Sequence, residues 1–397
     1  MNATKKQPAT LTVAGHIESA LTDARDQVHA WKSQAYDAFP ERQHIIDALV
    51  VCGVACSNLI MYGPPGTAKS LLARAFADAI SGASFDHLFT RYMTPNEING
   101  PIDVQAMKAG SLRHVTKGRL PEAHVAFFDE GFKANSACLN ALLTAVNEHA
   151  FHEDGQLKSI PLRVAVLASN EFPEDNDNLG AFDDRFPMRF DVRPLQNPDN
   201  FRAMLRGDLP KVTAKIDLAS LETLQRHSEG LEVGDDAINA MWSLREKLGA
   251  KGVYVSDRKF NVATSLLRAA AAISGSPKVS SAHLGLLEHV LWLRPDQKPA
   301  VRELVRDHVA TWLRDLRAAI EVIDEQEAAM AQAIKGSGSI STTGTAIAKV
   351  GQKLKELNKN VLDELRHVPE ASSDVARLRG RIEKVLTRGR EAMSKLI

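Results

Sequence analysis

The sequence predicts an α/β layer built on a largely parallel sheet, followed by an all-helical region and a helical, coiled-coil-like carboxyl-terminal arm. Three observations carry this. Between Pro40 and about Pro198, short apolar runs alternate with helical patterns, as in strand-helix-strand units. From about Phe201 to Leu293 the strand signal fades and apolar residues recur at helical spacing. Beyond Pro299 apolar positions repeat every three and four residues along three stretches. A chain of 397 residues exceeds the ~250 to 300 at which single cores stop growing, so two or three domains are expected.

In chain order, residues 1–37 are polar and then weakly helical, with Ile17, Leu21, Ala24 and Val28 on one face. Residues 38–198 form the α/β core, in which Leu59 to Tyr62, Phe85 to Tyr92, His124 to Phe128 and Val164 to Ala168 read as buried strands. Residues 199–297 read as a smaller helical domain, with Leu218, Leu221 and Leu224 and then Ala237, Met241, Leu244 and Leu248 in helical register. Residues 298–397 hold three amphipathic helices, separated by the Gly-Ser-rich stretch Gly336 to Gly344 and by Val368 and Pro369. Either an extended arm of helices or a compact three-helix bundle satisfies that pattern.

The 49 basic and 49 acidic side chains leave no formal net charge. This argues against a nucleic-acid partner, which needs a surplus of positive charge. Hydrophobic residues at 44% and charged residues at 25% exclude wholesale disorder. Cys52, Cys56 and Cys138 are sparse and the amino terminus has no apolar secretion core, so the protein reads as cytoplasmic with reduced thiols. Cys52 and Cys56 would share a helical face as small hydrophobes. No apolar stretch reaches the ~18 to 20 residues of a membrane span; Ile45 to Tyr62 is interrupted by Asp47, Gly53, Ser57 and Asn58.

The chemistry concentrates in the first half. Met61 to Ser70 reads MYGPPGTAKS between an apolar strand and the helical run Leu71 to Ile80. The backbone of such a loop, opening a helix whose amino end carries partial positive charge, cradles phosphates. Gly63, Pro64, Pro65, Gly66, Thr67, Ala68, Lys69, Ser70 and Leu71 form this nucleotide cradle, Lys69 reaching the outer phosphates and the Ser70 hydroxyl meeting Mg²⁺. Ala68 stands where the strict pattern has a second glycine. Further on, the strand His124 to Phe128 delivers Asp129 and Glu130 to its carboxyl end, where a doubly wound sheet holds its ligand. Asp129 is expected to hold the metal and Glu130 to polarise the attacking water. A third strand delivers Asn170, followed by Asp183, Asp184 and Arg185, and much later Ser256, Asp257 and Arg258 open a helix.

This order resembles that of the AAA+ ATPases, and in detail the chain is similar to the MoxR family, most closely its RavA branch. The residues behind this are GPPGTAKS, TRYMTPNEINGP (Thr90 to Pro101), GRLPEAHVAFFDE (Gly118 to Glu130), LNALLTAVNEHAF (Leu139 to Phe151), ASNEFPE (Ala168 to Glu174) and YVSDRKF (Tyr254 to Phe260). The similarity spans roughly Ala38 to Leu293 and leaves the carboxyl third outside it. It implies an AAA+ core with a helical lid, ATP and Mg²⁺ as cofactors, and ATP hydrolysis as the activity. Asn170 then looks like sensor 1, Arg185 like an arginine finger supplied in trans, with Arg189 as the alternative, and Arg258 like sensor 2. Two insertions also look like those of the family: Val104 to Val115, read as a hairpin turning at Lys108, Ala109 and Gly110, and Phe151 to Pro161, turning at Asp154 and Gly155. Thr90 and Arg91 are read as a link between client contact and Glu130.

The resemblance further implies a hexameric ring, a partner with a von Willebrand factor A domain, and chaperone-like remodelling of a client protein. Two alternatives from other classes stay open: a nucleic-acid motor, kept alive by the basic stretch Arg377 to Lys395, and an ATP-gated docking module acting through the carboxyl-terminal helices.

Overall fold

The weak amino-terminal periodicity becomes one long helix, α1 (Thr10–Ala38), whose buried face runs Leu21, Ala24, Val28, Trp31 and Ala35 at alternating spacings of three and four. Ile17 is exposed. This computed structural model describes residues 10–170, 172, 185–309, 311–335, 340–362 and 372–394, and they divide into two compact units. Asp183 and Asp184 and the break at Val368 and Pro369 lie outside the described residues.

The first unit takes in the described residues up to Glu232, together with Val255–Lys278 and His289–Pro295. Its centre is a five-stranded sheet of β1 (Leu59–Tyr62), β2 (Ser84–Leu88), β3 (Val125–Asp129), β6 (Val164–Ser169) and β7 (Met188–Asp191), in the order β2-β3-β6-β1-β7 with every pairing parallel. A second, antiparallel pair, β4 (Ala150–Glu153) and β5 (Gln156–Ser159), is the expected hairpin, turning at Asp154 and Gly155, both with positive φ. The central strands β1 and β6 are buried along their length, the apolar run that a sheet covered on both faces requires. Helices α2 (Gln43–Ala55) and α3 (Lys69–Ala79) pack near it, and Trp31 of α1 meets Phe76 of α3 edge to face at 5.3 Å.

Three expectations needed correction. The second strand stops at Leu88 rather than continuing to Tyr92. The first insertion is not a hairpin: after α4 (Pro95–Asn99), residues 104–108 wind into the short helix α5 (Val104–Lys108), because the Asp103 carboxylate accepts from the Gln105 and Ala106 amides. A single antiparallel bridge, Ile102 to His114, closes it. Strand β7 has no counterpart in the sequence reading. Four residues with an arginine in the middle carry almost no strand signal, and only pairing to β1 gives them that form.

Helix α6 (Ser136–Glu148) follows β3, and α7 (Pro198–Arg206), α8 (Leu218–Glu229), α9 (Asp235–Ala250) and α10 (Asp257–Ser274) complete the middle of the chain. Of these α9 belongs to the second unit, while α8 and α10 pack with α1 and α2 in the first. Arg25 of α1 donates to the Ala272 carbonyl of α10 at 2.8 Å. Cys52 is fully buried on α2, and Cys56 ends that helix in a left-handed turn.

The second unit comprises Val233–Tyr254, Val279–Glu288 and the described residues from Asp296 onward. Helix α9 packs against α11 (Lys298–Val309), with Lys251 paired to Glu303 at 2.8 Å. Then α12 (Thr311–Lys335), α13 (Ile340–Leu357) and α14 (Ser372–Ser394) share one apolar core that includes Ile323, Met330, Val350, Leu354, Leu378 and Ile382. Of the two arrangements open to the sequence, the bundle is the one formed. Arg381 of α14 reaches across to Asp324 at 2.6 Å and Glu327 at 2.8 Å on α12.

Candidate nucleotide site

The register of the sheet aligns the carboxyl ends of three strands. Asp129 of β3 stands opposite Ala168 of β6, and Ser169 stands opposite Tyr62 of β1. Gly63, Glu130 and Asn170, each following its strand, therefore emerge at one edge.

The loop after β1 folds as it does because two positions need glycine. Gly63 has a φ of +152°, and an added Cβ would lie 2.1 Å from the Val192 carbonyl oxygen. Gly66 has a φ of +77°. Ala68 takes the left-handed conformation at φ 66° directly before α3, where a side chain costs about 1 kcal/mol. It offers no side-chain cap, so the first-turn amides of α3 face whatever lies beyond the loop. Thr67 closes the loop internally, its hydroxyl donating to Pro64 O at 2.9 Å.

Lys69 is 7% exposed and donates to Gly63 O at 2.5 Å, Pro64 O at 3.0 Å and Asn170 Oδ1 at 3.3 Å. These are neutral acceptors, so the ammonium is buried without a directly bonded counter-ion. Burial pulls its pKa below the usual lysine value, and the nearby Asp129 and Glu130 charges oppose that shift. A buried cation in a glycine cradle at an uncapped helix start fits a polyphosphate. Ser70, half-buried on the first turn of α3, and Asp129 supply the hydroxyl and carboxylate that a divalent ion accompanying it requires.

Glu130 turns out of the strand with φ 54°, and the Gly131 that follows sits so close to β6 that an added Cβ would meet Leu167 Cδ1 at 2.6 Å. Both Glu130 carboxylate oxygens are engaged: Asn170 Nδ2 donates to Oε1, and Lys133 Nζ lies 3.3 Å from Oε2. Asn170 thus bridges Lys69 and Glu130. Lys133 is a site residue that the sequence reading missed, although its i,i+3 spacing from Glu130 was visible. Asn135 is another: it caps α6 by accepting from Cys138 N at 3.0 Å and donates to Met93 O at 2.7 Å and Arg91 O at 3.3 Å. Exposed Arg91, though not Thr90, is thereby bonded to the start of α6, while Glu130 itself is held by Asn170 and Lys133.

The arginines fall elsewhere. Asn58, just before β1, donates to Arg185 O at 2.8 Å and accepts from Ala165 N at 2.8 Å. Ala165 is at the amino end of β6, four residues or roughly 13 Å before Ser169. The backbone of Arg185 therefore lies at the edge of the sheet opposite Lys69, Glu130 and Asn170. Arg189, the alternative finger, is 1% exposed and donates to Trp292 O at 3.1 Å. It is used inside the subunit. Arg258 is exposed on the first turn of α10, which Ser256 caps by accepting from Lys259 N at 3.2 Å.

The two insertions are joined. Asp154 in the β4-β5 turn accepts from Ser111 Oγ at 2.9 Å and Leu112 N at 3.1 Å, and Glu153 accepts from His114 N at 2.9 Å. Glu153 also pairs with Lys158. Among the described residues no group of three or more His, Cys, Asp or Glu could hold a metal ion, and no helix is long and apolar enough to cross a membrane.

Residues 26–225 match the family described as the MoxR domain in the MoxR-vWA-beta-propeller ternary systems, and residues 236–305 match an AAA lid domain. Two uncharacterized proteins of Methanocaldococcus jannaschii are similar: one is 33% identical over 72% of this chain and 75% of its own length, the other 35% identical over 65% and 69%. Among solved structures, a candidate ATPase from Cytophaga hutchinsonii superposes with a TM-score of 0.60 at 15% identity, covering 76% of this chain and 99% of that one, a likeness of fold. The parallel sheet and the family match over residues 26–225 agree: the chain belongs to the MoxR family of AAA+ ATPases.

Proposed function

We propose that this chain binds and hydrolyses ATP with Mg²⁺ as one subunit of a hexameric ring, and uses the cycle to remodel a client protein in the cytoplasm. The observation that carries this reading is the division of groups between two edges of one sheet. Lys69, Glu130 and Asn170 converge at the carboxyl edge, while Arg185 stands at the amino edge, suited to a neighbour's site rather than its own.

In this reading Lys69 and the amides from Gly63 to Leu71 bind the phosphates. Ser70 and Asp129 would hold Mg²⁺, whose charge offsets that of the phosphate oxygens. Glu130 takes the proton of the attacking water, and Asn170 holds the carboxylate in position. With Asn170 on Oε1 and Lys133 beside Oε2, the Glu130 carboxylate keeps lone pairs for the water, since each oxygen accepts from more than one donor. Arg258 contacts phosphate from α10 of the same subunit, and Arg185 does so from the next. A partner with a von Willebrand factor A domain, and with it a β-propeller protein, is inferred from the ternary systems for which the matching family is described. Lys158 is neutralised by Glu153, which leaves the β4-β5 hairpin poorly suited to track nucleic acid.

Glu130→Gln tests the core of the proposal. It should bind ATP as tightly as the parent and turn over at a small fraction of its rate, read by equilibrium nucleotide binding beside steady-state phosphate release. Turnover at the parent rate would remove Glu130 from the role assigned to it.

A further inference from the structure

The carboxyl-terminal bundle leaves one side open. A groove of about 820 Å³ runs between α13 and α14, walled by Met330, Ile347, Leu386 and Met393. Its floor is lowered by two glycines from facing helices, Gly351 and Gly389. An added Cβ at Gly389 would meet Met330 Cε at 2.8 Å, so this residue lets the helices close, whereas at Gly351 the nearest atom is Leu386 Cδ2 at 3.6 Å. From Ile347 to Lys355 the groove follows α13 for nine residues, ~12 Å or about two helical turns. Methionine walls adapt their shape to a guest.

The ionised side chains that line the groove are of one sign. Of the side chains that line it, the ionised ones are Lys355 and Arg390, both exposed cations. The two helices forming it carry a basic excess: α13 sets Lys349, Lys353 and Lys355 against Glu356, which accepts from the lining Gln352, and α14 carries six arginines and lysines against three acids. Helix α12 is the acidic one of the three and is held to α14 by Asp324 and Glu327 on Arg381. The bundle thus already displays, once, how an acidic amphipathic helix seats against α14.

We propose that this groove is a docking site for a second acidic amphipathic helix, supplied by a partner protein, that completes a four-helix arrangement. Its leucine-like face fills the space between Ile347 and Met393, and flanking carboxylates meet Lys355 and Arg390. A second copy of the same bundle is the wrong occupant, because groove on groove would bring two basic faces together and the apolar face of its acidic helix α12 is already spent on its own core. The site makes no use of Lys69, Glu130 or Arg185, so docking and hydrolysis are separable.

The test uses the full chain and three labelled synthetic peptides of about three helical turns. One carries leucines at every third and fourth position flanked by glutamates, one has the same apolar face flanked by lysines, and one scrambles the acidic sequence. By fluorescence anisotropy the acidic helix should bind, more weakly as salt rises, and the other two should not. Gly351→Leu, which fills the floor and favours helix, should weaken binding at least about tenfold with an unchanged thermal melt and ATPase rate. Lys355→Glu with Arg390→Glu should do the same through charge, and guards against a repacked core in the first variant. Equal binding of the acidic and basic peptides, binding of neither, binding unaltered by both variants, displacement by an RNA or DNA oligonucleotide, or groove-dependent self-association in sedimentation would each overturn the proposal.

Discussion

Asn170 is where the sequence reading and the geometry meet most closely. A single amide bonds both Lys69 and Glu130, so under the proposed roles its loss should disturb chemistry more than binding. Asn170→Ala is expected to lower kcat roughly a hundredfold with a small change in KM for ATP, a split that steady-state kinetics resolves. A second residue-scale prediction concerns pH. Burial holds the His124 imidazole below its ordinary value, helped by the nearby positive charge of Arg163, and its Nδ1 accepts from Ala83 N at 3.2 Å. The unfolded chain takes up this proton near pH ~6.5 and the folded chain only at lower pH, so between those points the unfolded state binds more protons. The stability present above pH ~6.5 is therefore lost as pH falls through the folded value. The melting temperature should drop between neutral and mildly acidic buffer, and His124→Gln, which keeps an acceptor but cannot titrate, should drop less.

At the scale of elements, the phosphate loop is held by an interlock with the neighbouring strand rather than by its own turn alone. Gly63 N donates to Ser169 O at 3.0 Å, and Val192 N, just beyond β7, donates to Tyr62 O at 2.6 Å. Gly63→Ala should push the loop away from Val192 and destabilise the first unit by about 3 kcal/mol, measured by chemical denaturation, with loss of nucleotide binding. The strands carrying the site were legible because each is a short apolar run, β1 followed at once by the glycine-rich loop and β3 and β6 by a polar residue. Strand β7 was not, since Arg189 in its middle reads as surface until one sees its guanidinium bonded to Trp292 O. The first insertion was misjudged for a related reason: Lys108, Ala109 and Gly110 suggest a turn, but the Asp103 cap decides for helix, and a cap's effect depends on backbone geometry.

At the scale of the whole molecule, the proposal rests on a site that one subunit cannot complete. Arg185 stands across the sheet from its own phosphate loop, so a hydrolytic site that needs it must borrow it. Arg185→Ala and Glu130→Gln should each be nearly inactive alone. Mixed in equal amounts they should recover part of the parent rate, because some interfaces then pair an intact glutamate with an intact arginine. Phosphate release by the mixture is the measurement, and no recovery at any ratio would return Arg185 to a structural role. The parent's specific activity should also rise with protein concentration until assembly saturates, since such fingers contribute ~10³ or more in rate.

By itself the sequence determined the family and the order of the residues to which the proposal assigns the chemistry, because the glycines of the loop after β1, its lysine and the carboxylates at a strand end are read over a few consecutive positions. Tertiary structure alone decided which of these meet. That Asn170 joins Lys69 to Glu130 follows from strand register, that Arg189 is buried follows from the pairing of β7, and that Lys133 attends Glu130 follows from the turn at Gly131. The same holds for the carboxyl third, where heptad-like spacing was compatible with an arm or a bundle. The choice fell to side chains on three helices closing around one core, a fact about contacts distant in sequence.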